Sequence, residues 1–457
     1  MKDTLSLRRA RSPRTGRFAI PGRPTMLASG LLVALLGLSH VSHAVEFGPD
    51  NMFKVYGFGE VTVTRANNQC KGGINGCQFS PEKDRQRIWA DDVVPGLPMD
   101  AKTTGFSQFQ FWLEAKQKIG NGFTVKGVVS QNFRDGKVDM PGFWREKNIG
   151  LSHEEYGSLT LGAMTSRTWG FADYPYGSNL GLSYAWASTG AGYRNLGHAI
   201  RYTSRPFDVA NGDLVLEVTY DKGNHNFKIN KPKFVELWAH YGSGPLSIDA
   251  MYQDTRNGTP AAFGSAVFDG IFYSPVADSK VGSSGQSVGL IQAIYQVNQK
   301  VEVSGAIRRN SWSGAYAAIV IPGPPSDQWN NMFNVDWGGT LNGVSNPGYP
   351  AKSTDFSLGA RYRMDKWTFA TGLAYLGKAS TANPSERGQS NSALVNTVQA
   401  TYAYNNELEF SAFAGMINFK NKGLSPLSMP SNSTINNIDS RVTKAGNWVG
   451  VGAKYSF

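Results

Sequence analysis

The stretch Phe53-Lys54-Val55-Tyr56-Gly57-Phe58-Gly59-Glu60-Val61-Thr62-Val63-Thr64 reads differently at odd and even positions. Odd positions carry Phe, Val, Gly, Gly, Val and Val; even positions carry Lys, Tyr, Phe, Glu, Thr and Thr. Successive side chains of an extended chain point to opposite faces, so the alternation predicts a strand with one apolar and one mostly polar face. The same reading holds further along. Leu214, Leu216, Val218 and Tyr220 oppose Glu217, Thr219 and Asp221, and Phe356, Leu358, Ala360 and Tyr362 oppose Ser357, Arg361 and Arg363. No comparable stretch has a helical period.

Sixteen such segments are predicted, near 52–66, 105–117, 122–133, 143–152, 157–165, 197–205, 213–222, 233–242, 245–254, 286–296, 300–310, 354–363, 366–377, 391–403, 407–418 and 446–457. Several gaps are short and turn-like, among them Gly120-Asn121-Gly122, Ser243-Gly244 and Met364-Asp365. Gly and Asn suit tight hairpins because they tolerate positive φ. Others, at 67–104, 166–196, 255–285 and 311–353, are long. Short turns at one end and long loops at the other, on an even number of strands, predict an all-β fold: a 16-stranded antiparallel transmembrane β-barrel with short periplasmic turns and long extracellular loops.

A soluble sandwich also has strands of period two. The distribution of aromatics argues against it. Tyr220, Tyr252 and Tyr375 come late in strands that run toward long loops, and Tyr241, Tyr362, Tyr402 and Tyr455 late in strands that run toward short turns. Two rings on one face are what two membrane interfaces require, and a sandwich has no use for them. The other face carries Lys, Arg, Glu, Gln, Ser and Thr, which predicts an aqueous lumen at this strand number.

The chain of 457 residues has 45 Lys+Arg against 34 Asp+Glu, a basic balance of the kind that suggests a nucleic-acid partner. Lys2, Arg8, Arg9, Arg11, Arg14, Arg17 and Arg23 account for much of it. They precede an apolar run from Met26 to Leu38 and then Ser42-His43-Ala44, the order of a secretory signal peptide cleaved after Ala44. Whether Met1 or Met26 is the start stays open. Without residues 1–44 the balance falls to 38 basic against 33 acidic, and no nucleic-acid partner is expected. Residues 45–457 are read as the barrel domain.

Parity places Lys54, Lys116, Lys126, Arg201, Arg308, Arg361, Arg363 and Lys454 inward, with Glu60, Glu114, Glu217, Asp221, Asp249, Glu302 and Glu409. Charged rings in a pore set ion preference, but compensating pairs on a solvated wall would look the same in sequence. Arg145 and Lys147 share parity with the lipid-facing Ile149 and Leu151, which predicts an interface, a rim or a bulge there. Cys70 and Cys77 share the first long loop, and an oxidising compartment favours a disulfide between them. No H-E-x-x-H or Walker motif occurs, and the single G-x-S-x-G match, Gly285 to Gly289, runs into the period-two segment 286–296 rather than into a helix, so neither an enzyme, a metal site nor a cofactor is expected.

Val55-Tyr56-Gly57-Phe58-Gly59-Glu60-Val61, Ile149-Gly150-Leu151-Ser152, Tyr156-Gly157-Ser158-Leu159-Thr160-Leu161-Gly162, Ala199-Ile200-Arg201-Tyr202 and the terminal Tyr455-Ser456-Phe457 resemble, in order and spacing, the Gram-negative trimeric general porins of the betaproteobacterial type. The resemblance runs from about residue 50 to the end. It implies a homotrimer in the outer membrane, in contact with lipid and lipopolysaccharide, and a third long loop, 166–196, folded into the lumen as a constriction. Tyr455 and Phe457 would then form the C-terminal signal read by the barrel-assembly machinery. The loop departs from the family pattern. Its only acid is Asp173, beside Arg167 and Arg194, and the rest is ring-rich: Trp169, Phe171, Tyr174, Tyr176, Tyr184, Trp186 and Tyr193. These rings either line the constriction or pin the loop to the wall. Arg201 stands where the strand leaving that loop begins, and Lys126, Glu217, Arg308, Arg361 and Arg363 complete the candidate pore wall. The expected function is passive diffusion of small hydrophilic solutes and ions. A channel selective for anionic, sugar or aromatic solutes, and a surface adhesion barrel, are the alternatives.

Overall fold

The computed structural model describes residues 44–67, 102–134, 137–138, 144–172, 190–223, 232–256, 267–268, 284–314, 338–341, 344–347, 350–378, 380–381, 392–420 and 445–457. Residues 1–43, Cys70, Cys77, Asp173, Tyr174, Tyr176, Tyr184 and Trp186 lie outside them.

Sixteen long strands form one sheet: β1 (Phe53–Asn67), β2 (Lys102–Gly120), β3 (Phe123–Arg134), β4 (Glu146–His153), β5 (Gly157–Thr165), β6 (Asn195–Thr203), β7 (Gly212–Asp221) and β8 (Lys233–Ser243) come first. They are followed by β9 (Leu246–Arg256), β10 (Ser284–Gln296), β11 (Val301–Gly314), β12 (Ala351–Met364), β13 (Trp367–Leu376), β14 (Ala393–Ala403), β15 (Leu408–Phe419) and β16 (Ala445–Ser456). Each pairs antiparallel with its neighbours in sequence, and β16 returns to pair with β1, with Lys454 opposite Glu60 and Val451 opposite Val63. The ring is closed. Closure is what allows such a sheet to stand in hydrocarbon, where an open edge would leave a row of unpaired amides. Every predicted segment corresponds to one of these strands, with ends displaced by a few residues.

At the seam, Phe457 exchanges both backbone hydrogen bonds with Gly57, at 2.8 and 3.0 Å. A Cβ on Gly57 would come within 2.2 Å of the Gln110 carbonyl oxygen, so the close approach of β1 and β2 requires glycine there. Below Phe457 the sheet is continued by Val45–Phe47, which pairs with Val55 to Phe53 at the start of β1. The 120–122 hairpin has φ of 101, 50 and 77° at Gly120, Asn121 and Gly122, a conformation that glycine and asparagine reach at low cost.

Side chains follow the predicted parity. Val61, Val63, Ile149, Leu216, Tyr252, Ile291, Leu358, Val451 and Tyr455 project outward and are exposed. Trp367, Phe369 and Tyr402 pack together at the turn end, with Trp367 centroids 5.9 and 5.0 Å from the other two rings. The inner face is less uniformly polar than the alternation predicts. Met251, Val288, Leu290, Trp312, Leu376, Val395, Ile417 and Trp448 point inward and are buried. Parity fixes the direction of a side chain but not whether water or chain meets it.

Candidate functional site: the inner wall and the loop after β5

Strands β5 and β6 pair up to Thr165 opposite Asn195, and the chain between them leaves the sheet. Ser166 ties the two ends of this excursion together. Its Oγ donates to the Tyr193 carbonyl at 2.7 Å, and its N–H donates to the Arg194 carbonyl at 2.7 Å. A short helix, α1 (Arg167–Ala172), follows, and its first N–H groups need acceptors from outside the helix. Glu236 of β8 provides them. Its carboxylate accepts from the N–H of Arg167 at 2.7 Å, the N–H of Thr168 at 3.0 Å and the Thr168 hydroxyl at 2.6 Å. Negative charge at a helix N-terminus is favourable, and here it comes from an inward-facing wall residue.

Glu217 of β7 is the second anchor. Arg167 grips it through Nε and Nη2, both at 2.9 Å, Arg201 adds a contact of 3.0 Å, and the Thr203 hydroxyl donates at 2.6 Å. Arg201 also donates to Thr219 Oγ1 and to the Thr165 carbonyl. Burial works against the Arg167 charge, but the paired Glu217 outweighs it and holds the guanidinium protonated above its ordinary range. The face of that guanidinium lies 5.2 Å from the Trp238 ring. Trp169 is held between two cations, with Arg145 at 5.5 Å and Arg194 at 4.7 Å from its ring. Arg145 precedes β4 and is buried on this side, so strand parity does not govern it, whereas Lys147 is exposed on the outer face. Phe171 belongs to α1.

The returning end of the excursion rests on the same wall farther round. The Ala191 N–H donates to Asn310 Oδ1 at 3.0 Å and the Tyr193 N–H to Gln253 Oε1 at 2.6 Å. Gly190 has a φ of 105°, and a Cβ there would meet Asn310 Oδ1 at 2.6 Å and Arg308 Cζ at 3.1 Å. Beneath it, Arg308 donates twice to Asp355 Oδ2, at 3.0 and 2.7 Å, and Asn310 donates to the same oxygen at 2.8 Å. Gln253 also donates to Glu236, which links the two ends of the excursion through one amide. The described ends of the loop therefore lie on inward-facing side chains.

Other wall charges are also paired. Arg361 and Arg363 share Glu302, at 2.6 and 3.3 Å, and Lys126 meets Glu114 at 2.7 Å. His240 Nδ1 lies 2.8 Å from Asp249, which also accepts from the Trp238 indole. At the C-terminus Tyr455 is exposed on the outer face and Phe457 stacks on Phe109 at 5.8 Å. Glu236, Gln253, Asn310 and Asp355, which do most of the holding, were not among the residues expected from sequence. Glu236 lies between the outward Val235 and Leu237, and Asp355 beside the outward Phe356, so parity does place both inward.

A closed antiparallel barrel of sixteen strands, apolar and ring-banded outside and charged inside, defines an outer-membrane channel protein. Residues 30–424 match the Gram-negative porin family, and the chain belongs to it. It is a multi-pass β-barrel of the outer membrane. No curated protein matches the chain. Among solved structures it is similar to the anion-selective porin from Comamonas acidovorans, at a TM-score of 0.57 and 11% identity over 89% of this chain and 99% of that one. It is also similar to OmpF of Salmonella typhi in complex with daunomycin (0.53, 13%, 90% and 100%). The outer membrane channel DcaP of Acinetobacter baumannii gives 0.53, 12%, 90% and 100%. At these identities the likeness is one of fold.

Proposed function

We propose that the protein is a general diffusion channel through which small hydrophilic solutes and ions pass down their gradients. The carrying observation is the closed ring itself: sixteen paired strands whose charged side chains face inward while exposed apolar side chains face out. Such a wall screens a polar path from lipid. The described ends of the loop 166–196 rest on the inner wall and narrow that path, and the burial of Tyr193 and the cation contacts of Trp169 support the reading that the rings pin the loop. Selectivity then rests on wall charges that are not neutralised by a neighbour. No catalytic step is part of this reading. The channel works as a homotrimer among lipid and lipopolysaccharide, is exported through a signal peptide cleaved after Ala44, and is inserted through its C-terminal Tyr455 and Phe457.

Single-channel recording in a planar bilayer, with the reversal potential taken under a salt gradient, tests the reading. Stable current steps with a defined reversal potential are expected. Folded, heat-modifiable protein that gives no steps would overturn it. A trimer band in mild detergent that collapses on heating is the expected companion result.

A further inference from the structure

A second stretch of inner wall, on β1 to β3, is built differently from the one that holds the loop. Reading from the turn end, the inward positions are Lys116 opposite Lys126, then Lys54 opposite Glu114, then Tyr56 opposite Trp112, then Phe58 opposite Gln110. Like charges directly opposite one another on a sheet are unfavourable, and here Lys116 faces Lys126 with Glu114 beside them, while Glu46 and Glu146 flank the group. Glu114 is committed to Lys126 at 2.7 Å, and Lys54 meets an exposed Glu46 at 3.8 Å and lies 5.9 Å from the centroid of the Tyr56 ring. Lys116 is exposed and forms no ion pair among the described residues. Immediately above the lysines, Tyr56 and Trp112 stack with centroids 5.5 Å apart and planes within 8°, and Phe58 leans on Trp112 at 6.5 Å. The Trp112 indole is fixed by its N–H, which donates to Glu146 at 2.8 Å, so the ring is held rather than free to fold away. Phe58 and Trp112 are only half-buried. Tyr56 is buried, and its hydroxyl has no hydrogen-bond partner among the described residues.

Stacked rings beside an exposed Lys116 and a loosely paired, half-exposed Lys54 match a solute that is flat at one end and anionic at the other. We infer that this shelf is a solute-binding site on the diffusion path, selective for aromatic carboxylates, with the aryl ring against Phe58 and Trp112 and the carboxylate among Lys54, Lys116 and Lys126. The inference rests on the channel reading and assigns it a preferred substrate class. A sugar would use the rings but leave the lysines unanswered, and a small inorganic anion would do the reverse.

The test is block of single-channel current by 4-hydroxybenzoate, scaled to the open current of each variant. Cyclohexanecarboxylate, which has the same charge and no flat face, and benzyl alcohol, which has the ring and no charge, are the comparison probes. Concentration-dependent block by 4-hydroxybenzoate is expected, with about tenfold weaker block by cyclohexanecarboxylate and none by benzyl alcohol. Trp112→Ala should raise the half-blocking concentration about tenfold, Trp112→Phe much less, and Lys116→Ala by about threefold. Equal block by the two carboxylates, or block unchanged in both Trp112→Ala and Lys116→Ala, would overturn the site while leaving the channel standing. The probe comparison on the unaltered protein decides the matter if a variant fails to fold. Absence of any current steps would overturn both.

Discussion

The wall on β6 to β9 and the wall on β1 to β3 carry similar residue types but use their charges in opposite ways. On the first, Arg167 and Arg201 meet Glu217 and Glu236, the charges cancel, and the carboxylates are almost wholly shielded, with 1% of the Glu217 and Glu236 side chains exposed. On the second, the Lys54 side chain is 41% exposed and Lys126 31%, with Glu114 between them. Buried, matched charges fix geometry. Exposed, loosely matched charges act on what passes. The sign of a wall residue therefore says little about ion preference until its cross-strand partner is known.

The comparison breaks first at Glu217. Replacing it with alanine leaves the part-buried Arg167 guanidinium without its acceptor and the buried Arg201 without its nearest carboxylate, and a loss of about 3 kcal/mol is expected. It should appear as a lower temperature of heat modification and as a larger, noisier channel once the loop origin is freed. Unchanged stability would mean that the pairs are not shielded as described. Gly190→Ala comes next. A side chain at a φ of 105° that also meets Asn310 and Arg308 should cost about 1–3 kcal/mol, read as unsteady conductance with the barrel intact. On the other wall, Glu114→Ala removes one partner of a half-exposed pair and should cost no more than about 1 kcal/mol. A cost as large as that of Glu217→Ala would erase the distinction between the walls. Lys54→Glu combined with Lys116→Glu should leave stability within about 0.5 kcal/mol and move the reversal potential toward cations.

Much of this was legible from period two alone. A strand between lipid and lumen is asymmetric along its whole length, so Val61, Val63 and Leu216 declare one face and Glu60 and Glu217 the other. The anchors were harder to see. Glu236 is a single inward acid like several others, and only the arrival of α1, sixty-odd positions away in sequence, gives it its role. Arg145 failed a parity reading because β4 begins one residue later, at Glu146. The buried inward Leu376, Val395, Ile417 and Trp448 show the remaining limit, since alternation encodes direction and not depth.

The seam at Gly57 has a further consequence. Strand β1 is flanked on one side by β16 and, below it, by Val45–Phe47, so the segment that precedes β1 and the last strand lie end to end along the same edge. Contacts of such sequence separation form slowly, and no intermediate short of the complete ring covers the edge of β1. Shielding of the backbone from lipid is therefore all-or-none for this chain: a copy lacking β16 keeps β1 to β15 paired and still presents two open edges.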